Sequence, residues 1–300
     1  MDPTALLERV LDQPTVARVR AVLEVYGRAP GGLLANGLAF AALFAVVPIA
    51  LVTLGLAGWL VDDPRVQAQL AAAIGAIVPP LADLVDGALD AMSEGAALSS
   101  IVGVVGVIWT VSQFYSTLDI AFSRIFTERP ERDVLGRTWR GFVWVAGLVV
   151  AVIALIVAGA IATAAEVLLP ASATALIGIR RVVTSLPVVM AIGVAAVLVI
   201  YRVVPSHAPS WRAIRLPALV GGVAIVLLSQ LFLFAAPRIV AVAAFAGSLA
   251  TAFVALAWLS FTFQILLLGA AWVRVRDDSA SAESALPAPA APTEPGVGGQ

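Results

Sequence analysis

The sequence contains no cysteine, no lysine and a single histidine among its 300 residues. The absence of cysteine excludes disulfides, thiolate nucleophiles and cysteine-ligated metals. The absence of lysine excludes the phosphate-binding loop Gly-x-x-x-x-Gly-Lys-Ser/Thr. We therefore expect no cofactor and no metal, we assign no catalytic residue, and we predict that the protein is not an enzyme.

Charged residues are also scarce. They make up 12% of the chain, whereas 61% is hydrophobic and the mean hydropathy is +1.01. A typical soluble domain is about a quarter charged, and apolar runs longer than roughly 18 residues indicate membrane-spanning helices. A net charge of −1 disfavours a nucleic-acid partner, which requires clustered cations. The composition predicts an all-α, polytopic membrane protein whose partners are membrane lipids.

The apolar runs predict six transmembrane helices, and none has Asp, Glu, Lys or Arg in its central stretch. The predicted spans are 33–60, 97–118, 141–165, 182–201, 214–236 and 243–273. Pro48 and Pro187 fall inside the first and fourth spans. Each is expected to kink its helix, because proline removes a backbone hydrogen bond.

The arginines are divided unevenly between the two sides of the predicted spans. Fourteen of the 18 lie on one side and four on the other. Because cytoplasmic segments of membrane proteins carry the excess of basic residues, this distribution predicts that both termini are cytoplasmic. An even number of spans satisfies that arrangement.

Three segments fall outside the spans. Residues 4–28, within an N-terminal segment 1–30, show the apolar spacing of amphipathic helices that rest on the inner membrane surface. Residues 65–92 are predicted to form an amphipathic helix on the outer surface. Residues 277–300 are rich in Ala, Pro, Ser and Gly, and we expect a disordered cytoplasmic tail there. The membrane domain is therefore predicted to be 31–276.

Polar residues near the inner end of the second span form a candidate vestibule that faces the cytoplasm. Its members are Gln113, Ser116, Asp119 and Ser123, which follow one helical stripe, together with Arg202. An alternative interpretation makes Asp119 a structural carboxylate at the interface, paired with Arg140 or Arg202. The residues themselves leave both open.

Two further predictions concern helix packing and the connector between the fourth and fifth spans. Gly247, Thr251 and Ala255 recur every four residues, which predicts a close helix–helix contact. In the connector, Tyr201 and Trp211 are expected to anchor at the membrane interface. The single histidine, His207, is expected to be a solvated loop residue, with a headgroup or partner contact as the alternative.

Four sequence blocks carry a family resemblance. They are "NGLAFAALFAVVPIAL" at 36–51, "WTVSQFYSTLDIAFSRIF" at 109–126, "YRVVPSHAPSWRAIRLPALVGG" at 201–222 and "FAGSLATAFVALAWLSFTFQILLLGAAW" at 245–272. Their order and spacing resemble the YihY/BrkB family of bacterial inner-membrane proteins, some of which are labelled ribonuclease BN. The resemblance covers residues 20–276. It implies a six-helix fold in the inner membrane and supplies no settled activity.

The remaining functional hypotheses follow from where the polar groups lie. The carboxylate cluster Asp83, Asp86 and Asp90 is predicted on the outer side, where RNA is absent, so we expect no ribonuclease. Spans without ionisable residues disfavour an ion-coupled carrier. Export or translocation of an amphiphilic or lipid-like molecule needs grooves and arginines at headgroup level instead, and it is the favoured hypothesis. The alternative is a non-catalytic scaffold that binds a partner or organises lipid, and a homo-oligomer is left open.

Overall fold

The computed structural model describes residues 14–60, 105–106, 108–126, 139, 143, 147, 185–205, 208–242 and 248–284. All regular secondary structure in these residues is helical, which confirms the predicted all-α class. Three of the described helices contain segments long and apolar enough to cross a membrane. These segments are Leu186–Val203, Trp211–Ala235 and Ala252–Ser281. A shorter apolar helical segment is Gly31–Ala45.

Six helices are numbered here in chain order. They are α1 (Pro14–Arg28), α2 (Gly31–Leu60), α3 (108–126), α4 (Leu186–Val203), α5 (Trp211–Val242) and α6 (Ser248–Ser284). Helices α2 to α6 overlap five of the six predicted spans, three of them with segments of membrane-spanning length, and α3 continues to residue 126 beyond its predicted end at 118. Most of the predicted span 141–165 and the whole of 65–92 lie outside the described residues.

Helix α6 is the central element of the packing. It contacts α1, α2, α4 and α5 directly. It also meets α3, because the rings of Phe114 and Phe263 lie 5.8 Å apart. The core forms where α3, α4, α5 and α6 come together, with Phe122, Tyr201, Ile214 and Leu267 fully buried.

One end of the bundle, which we call the arginine end, joins the C-terminus of α3, the α4–α5 turn and the C-terminal part of α6. A guanidinium nitrogen of Arg274 on α6 donates to the carbonyl of Ile125 on α3. Arg276 donates to the carbonyl of Arg212 at the start of α5, at 3.1 Å. Segments that are far apart in the sequence therefore bring their arginines to one end, as the uneven distribution of arginine predicts.

Helix α1 begins at a proline, which suits the first helical position because no hydrogen bond is lost there. Val22, Val25 and Tyr26 pack against the core, whereas Val19 and Leu23 are exposed. The helix thus has one face on the protein and a second apolar pair directed outward. The predicted segment 4–28 is helical over the part that the structure describes, and 4–13 lie outside it.

Three local predictions differ from the structure. Pro187 lies in the first turn of α4, after Ser185, where its missing N–H costs no helical hydrogen bond, so it begins the helix instead of kinking it. Tyr201 is fully buried and is not an interface anchor. Helix α6 continues to Ser284, past the predicted tail boundary at 277, and Asp277 at that boundary accepts a hydrogen bond from the backbone N–H of Ser210 in the α4–α5 turn.

Candidate functional site

The predicted polar stripe lies on the face of α3 that is turned away from the core. Val111, Tyr115, Leu118, Phe122 and Ile125 form the buried face, at the spacing of one side of a helix. On the other side, Gln113 and Ser116 are exposed, and Asp119 and Ser123 are half-buried. The N-terminal half of the stripe, Gln113 and Ser116, is therefore accessible to solvent, to a ligand or to lipid.

One hydroxyl of the stripe and one beside it bond to the backbone of their own helix. The hydroxyl of Ser123 donates to the carbonyl of Asp119 at 2.6 Å. The hydroxyl of Thr117, one residue beyond Ser116, donates to the carbonyl of Gln113 at 2.9 Å. Such bonds satisfy serine and threonine in an apolar environment. Gln113 and Ser116 therefore carry the exposed polar groups of the stripe.

Arg202, the fifth member of the predicted vestibule, is used inside the α4–α5 turn. Its guanidinium donates to the carbonyl of Pro209 at 2.6 Å and lies 5.0 Å from the centre of the Trp211 ring. None of its described contacts reaches the α3 stripe. The structure therefore brings Gln113, Ser116, Asp119 and Ser123 together and assigns Arg202 to the turn; Arg140 and His207 lie outside the described residues.

A second polar group bridges α2 and α6, and the sequence interpretation missed its α2 member, Asn36. The hydroxyl of Ser260 donates to the side-chain oxygen of Asn36, and the Gln264 amide donates to the Ser260 hydroxyl at 3.1 Å. We call these three residues the Asn36 bridge. The available signal was Asn36 itself, a strongly polar residue in a long apolar run, where an unpaired amide would be costly.

The Asn36 bridge and the α3 stripe lie at a similar level of the bundle. A Cβ atom on Gly37 would lie 3.9 Å from the methyl group of Thr117. Phe263, next to Gln264, contacts the ring of Phe114. Residues adjacent to the two polar groups thus contact each other between α2 and α3 and between α3 and α6.

The close helix contacts of the described residues involve other positions than the predicted stripe of small residues. A Cβ on Gly222 of α5 would lie 2.5 Å from the Cα of Val194 on α4, and one on Gly193 would lie 2.6 Å from a methyl of Val226. Gly247 and the side chain of Thr251 lie outside the described residues. Ala255 is half-buried on α6.

The chemistry available at these positions is hydrogen bonding and charge. No group of three His, Cys, Asp or Glu residues able to hold a metal ion occurs in the part of the chain that the structure describes. The stripe and the bridge offer three amides, three hydroxyls and one carboxylate. This set suits the reversible binding of a polar group.

Three helices of membrane-spanning length, together with arginines collected at one end of the bundle, define a multi-pass integral membrane protein. The family model described as Virulence factor BrkB matches residues 22–294, and the chain belongs to this family. The resemblance identified from the four sequence blocks is thereby confirmed. No curated protein and no solved structure matches the chain.

Proposed function

We propose that the protein crosses the bacterial cytoplasmic membrane six times, with both termini in the cytoplasm, and that it exports or translocates an amphiphilic or lipid-like molecule. The role is non-enzymatic: the molecule is moved without a covalent change. The arginine end faces the cytoplasm in this arrangement, since basic residues accumulate on that side. Helix α1 then lies at the cytoplasmic surface, with Val19 and Leu23 directed toward lipid.

The observation that carries the proposal is the mixed character of the outward face of α3. Gln113 and Ser116 are exposed on the same side as Trp109 and Ile120, which are 62% and 50% exposed. An amphiphile needs polar partners for its headgroup beside apolar surface for its chain. A purely apolar helix face would offer only lipid contact, and a purely polar face would exclude the chain.

A second candidate function, a non-catalytic scaffold, is favoured by the bonding of the arginine end. There α6 is joined to α3 by Arg274, to the start of α5 by Arg276 and to the α4–α5 turn by Asp277. Such cross-connections suit a fixed platform for a partner or for lipid. The two functions differ in whether water enters the bundle along α3.

Single-cysteine labelling separates these functions, and the chain is already free of cysteine. Gln113→Cys and Ser116→Cys would be treated in sealed vesicles with a membrane-impermeant maleimide. Because the thiolate is the reacting species and forms only in water, we expect both positions to react if α3 lines a hydrated path. The two matched controls are Ala121→Cys, buried on the same helix, and Leu231→Cys, exposed on α5 toward lipid.

Inert cysteines at 113 and 116, no more reactive than the one at 231, would contradict translocation and support the scaffold. The topology is tested in the same vesicles with Arg18→Cys on α1. We expect this residue to react only with reagent on the cytoplasmic side. Reaction from the opposite side would overturn the proposed orientation.

A further inference from the structure

Helix α5 carries two exposed arginines beside an exposed apolar strip. Arg212 and Arg215 lie one turn apart in the first two turns, and both are exposed. Their guanidinium groups form no hydrogen bond or ion pair within the described part of the chain; the 3.1 Å bond from Arg276 goes to the Arg212 backbone carbonyl. Residues at i and i+3 lie side by side on a helix, so both guanidiniums can reach one anion.

The strip continues along the same face of the helix, away from the arginine end. Its members are Leu216, Leu219, Val220, Leu227 and Leu231, each between 42% and 59% exposed. The opposite face of α5 is the packed one, where Ile214 and Ala218 are buried against the bundle. The distance from Arg215 to Leu227 is about 18 Å at 1.5 Å per residue. This distance is close to half of the roughly 30 Å hydrocarbon thickness, which is the depth of one leaflet.

Trp211, at the start of α5, lies at the same level of this face as the two arginines. The residue is 47% exposed, and its ring lies against the guanidinium of Arg202, which itself donates to the carbonyl of Pro209. Tryptophan favours the region between headgroups and acyl chains. A fixed indole next to Arg212 therefore places the two arginines at the depth of lipid phosphates.

We propose that this face of α5 is a binding site for an anionic phospholipid. The phosphate is bound by Arg212 and Arg215, and an acyl chain lies along Leu219 and Leu227. Charge complementarity selects the occupant: two cations without described partners favour a lipid with net negative charge over a zwitterionic one, because the ammonium group of the latter repels them. The site does not depend on translocation along α3, since it lies on a different helix.

The test measures lipid binding to the purified full-length chain in detergent by native mass spectrometry. We expect phosphatidylglycerol to bind more tightly than phosphatidylcholine. The double variant R212Q/R215Q should lose on the order of tenfold or more in phosphatidylglycerol affinity, with phosphatidylcholine binding unchanged. R212K/R215K retains the charge and should keep the preference.

The matched control is R238Q, because Arg238 is an exposed arginine near the opposite end of α5 that already bonds to the Phe234 carbonyl and stacks on its ring. It should bind phosphatidylglycerol as the unmodified chain does. Glycerol 3-phosphate, which has the phosphate but no chain, should not compete at the same concentration. Equal binding of the two lipids, an undiminished preference in R212Q/R215Q, or full competition by glycerol 3-phosphate would each overturn the proposal.

Discussion

Tyr201 on α4 shows how a single side chain packs against three other helices. Its hydroxyl donates to the carbonyl of Leu266 on α6 at 2.8 Å, and its ring lies 6.4 Å from that of Phe122 on α3. Gly221 of α5 and Gly269 of α6 leave the space that the phenol occupies. A tyrosine in this apolar surrounding needs a partner for its hydroxyl, and the helix carbonyl supplies it.

The space that Gly269 leaves for the Tyr201 phenol predicts that substitutions at the two positions are not additive. A Cβ on Gly269 would lie 2.1 Å from the Tyr201 hydroxyl oxygen, so Gly269→Ala should cost about 1–3 kcal/mol through overpacking. Tyr201→Phe should cost about 1 kcal/mol for the lost hydrogen bond. In the double variant the clashing oxygen is gone, so the combined loss should be smaller than the sum of the single losses.

Unfolding in detergent, followed by circular dichroism, measures all four members of this cycle. Strictly additive losses would show that the hydroxyl and Gly269 do not compete for the same space.

The residue scale also shows why the sequence alone misplaced Tyr201. An aromatic residue beside an arginine, at the end of an apolar run, has the pattern of an interfacial anchor. Trp211, assigned by the same reasoning, is half-exposed and stacked by Arg202. Tyr201 differs because Gly269, 68 residues later in the chain, opens a cavity for it, and no local pattern records such a distant glycine.

At the scale of helices, α4 and α5 approach each other until their backbones are nearly in contact. Gly222 faces the backbone of Val194, and Gly193 faces Val226. In lipid, where no hydrophobic effect draws helices together, close backbone approach is a main source of attraction. The α4–α5 pair is therefore a tightly packed unit, linked by the short turn that Arg202 stabilises.

Two adjacent glycines of α5 provide a matched test of this packing. Gly222→Ala should destabilise the protein by about 1–3 kcal/mol, because its Cβ would meet the Val194 backbone at 2.5 Å and no side chain could move aside. Gly221→Ala should be neutral or stabilising by up to about 1 kcal/mol. Its nearest neighbour would be the Tyr201 hydroxyl at an ordinary 3.5 Å, and alanine favours the helix.

Thermal unfolding of the two variants in the same detergent measures the contrast. Equal midpoints for the two would mean that α4 and α5 are farther apart than described.

The positions of the helices were predictable because a long apolar run is visible in the sequence of each helix alone. Helices α2, α4, α5 and α6 lie close to their predicted positions. Helix pairing was not predictable in the same way. The every-fourth-residue rule selected Gly247, Thr251 and Ala255 from one helix, whereas a contact such as Gly222 with Val194 depends on both helices. The polar stripe was predictable because all four of its members lie on a single helix. The Asn36 bridge was not, because it joins residues 224 positions apart.

At the scale of the whole molecule, two charged residues in the C-terminal part of α6 join the helices at the arginine end. Arg274 donates to the carbonyl of Ile125 near the C-terminus of α3, and Asp277 accepts from the backbone N–H of Ser210 at 2.9 Å, just before α5. A cation thus meets the negative end of one helix dipole, and an anion meets the positive end of another. Arg274 and Asp277, three positions apart on α6, thus stabilise the ends of two other helices, α3 and α5.

Removing the anion should loosen the start of α5. In Asp277→Ala, the Ser210 N–H loses its partner, and we expect faster amide exchange over residues 210–214. Hydrogen–deuterium exchange with peptide-level mass spectrometry measures it. Asp278→Ala is the control. Among the residues that the structure describes, Asp278 pairs only with Arg274, at 3.5 Å, and its side chain is 71% exposed, so little change is expected. Unchanged exchange in Asp277→Ala would show that the contact does not hold the turn.

The position of this fastening in the chain has a consequence for biosynthesis. The ribosome makes residues 274–277 after every helix that they join, so α3 and the α4–α5 pair enter the membrane with their facing ends still open. The arginine end can close only when the end of α6 emerges, about 150 residues after Ile125 has been added. A polypeptide arrested before that point would have its earlier helices inserted but would lack the contacts of Arg274 and Asp277. Such an intermediate is the species that membrane quality control would encounter.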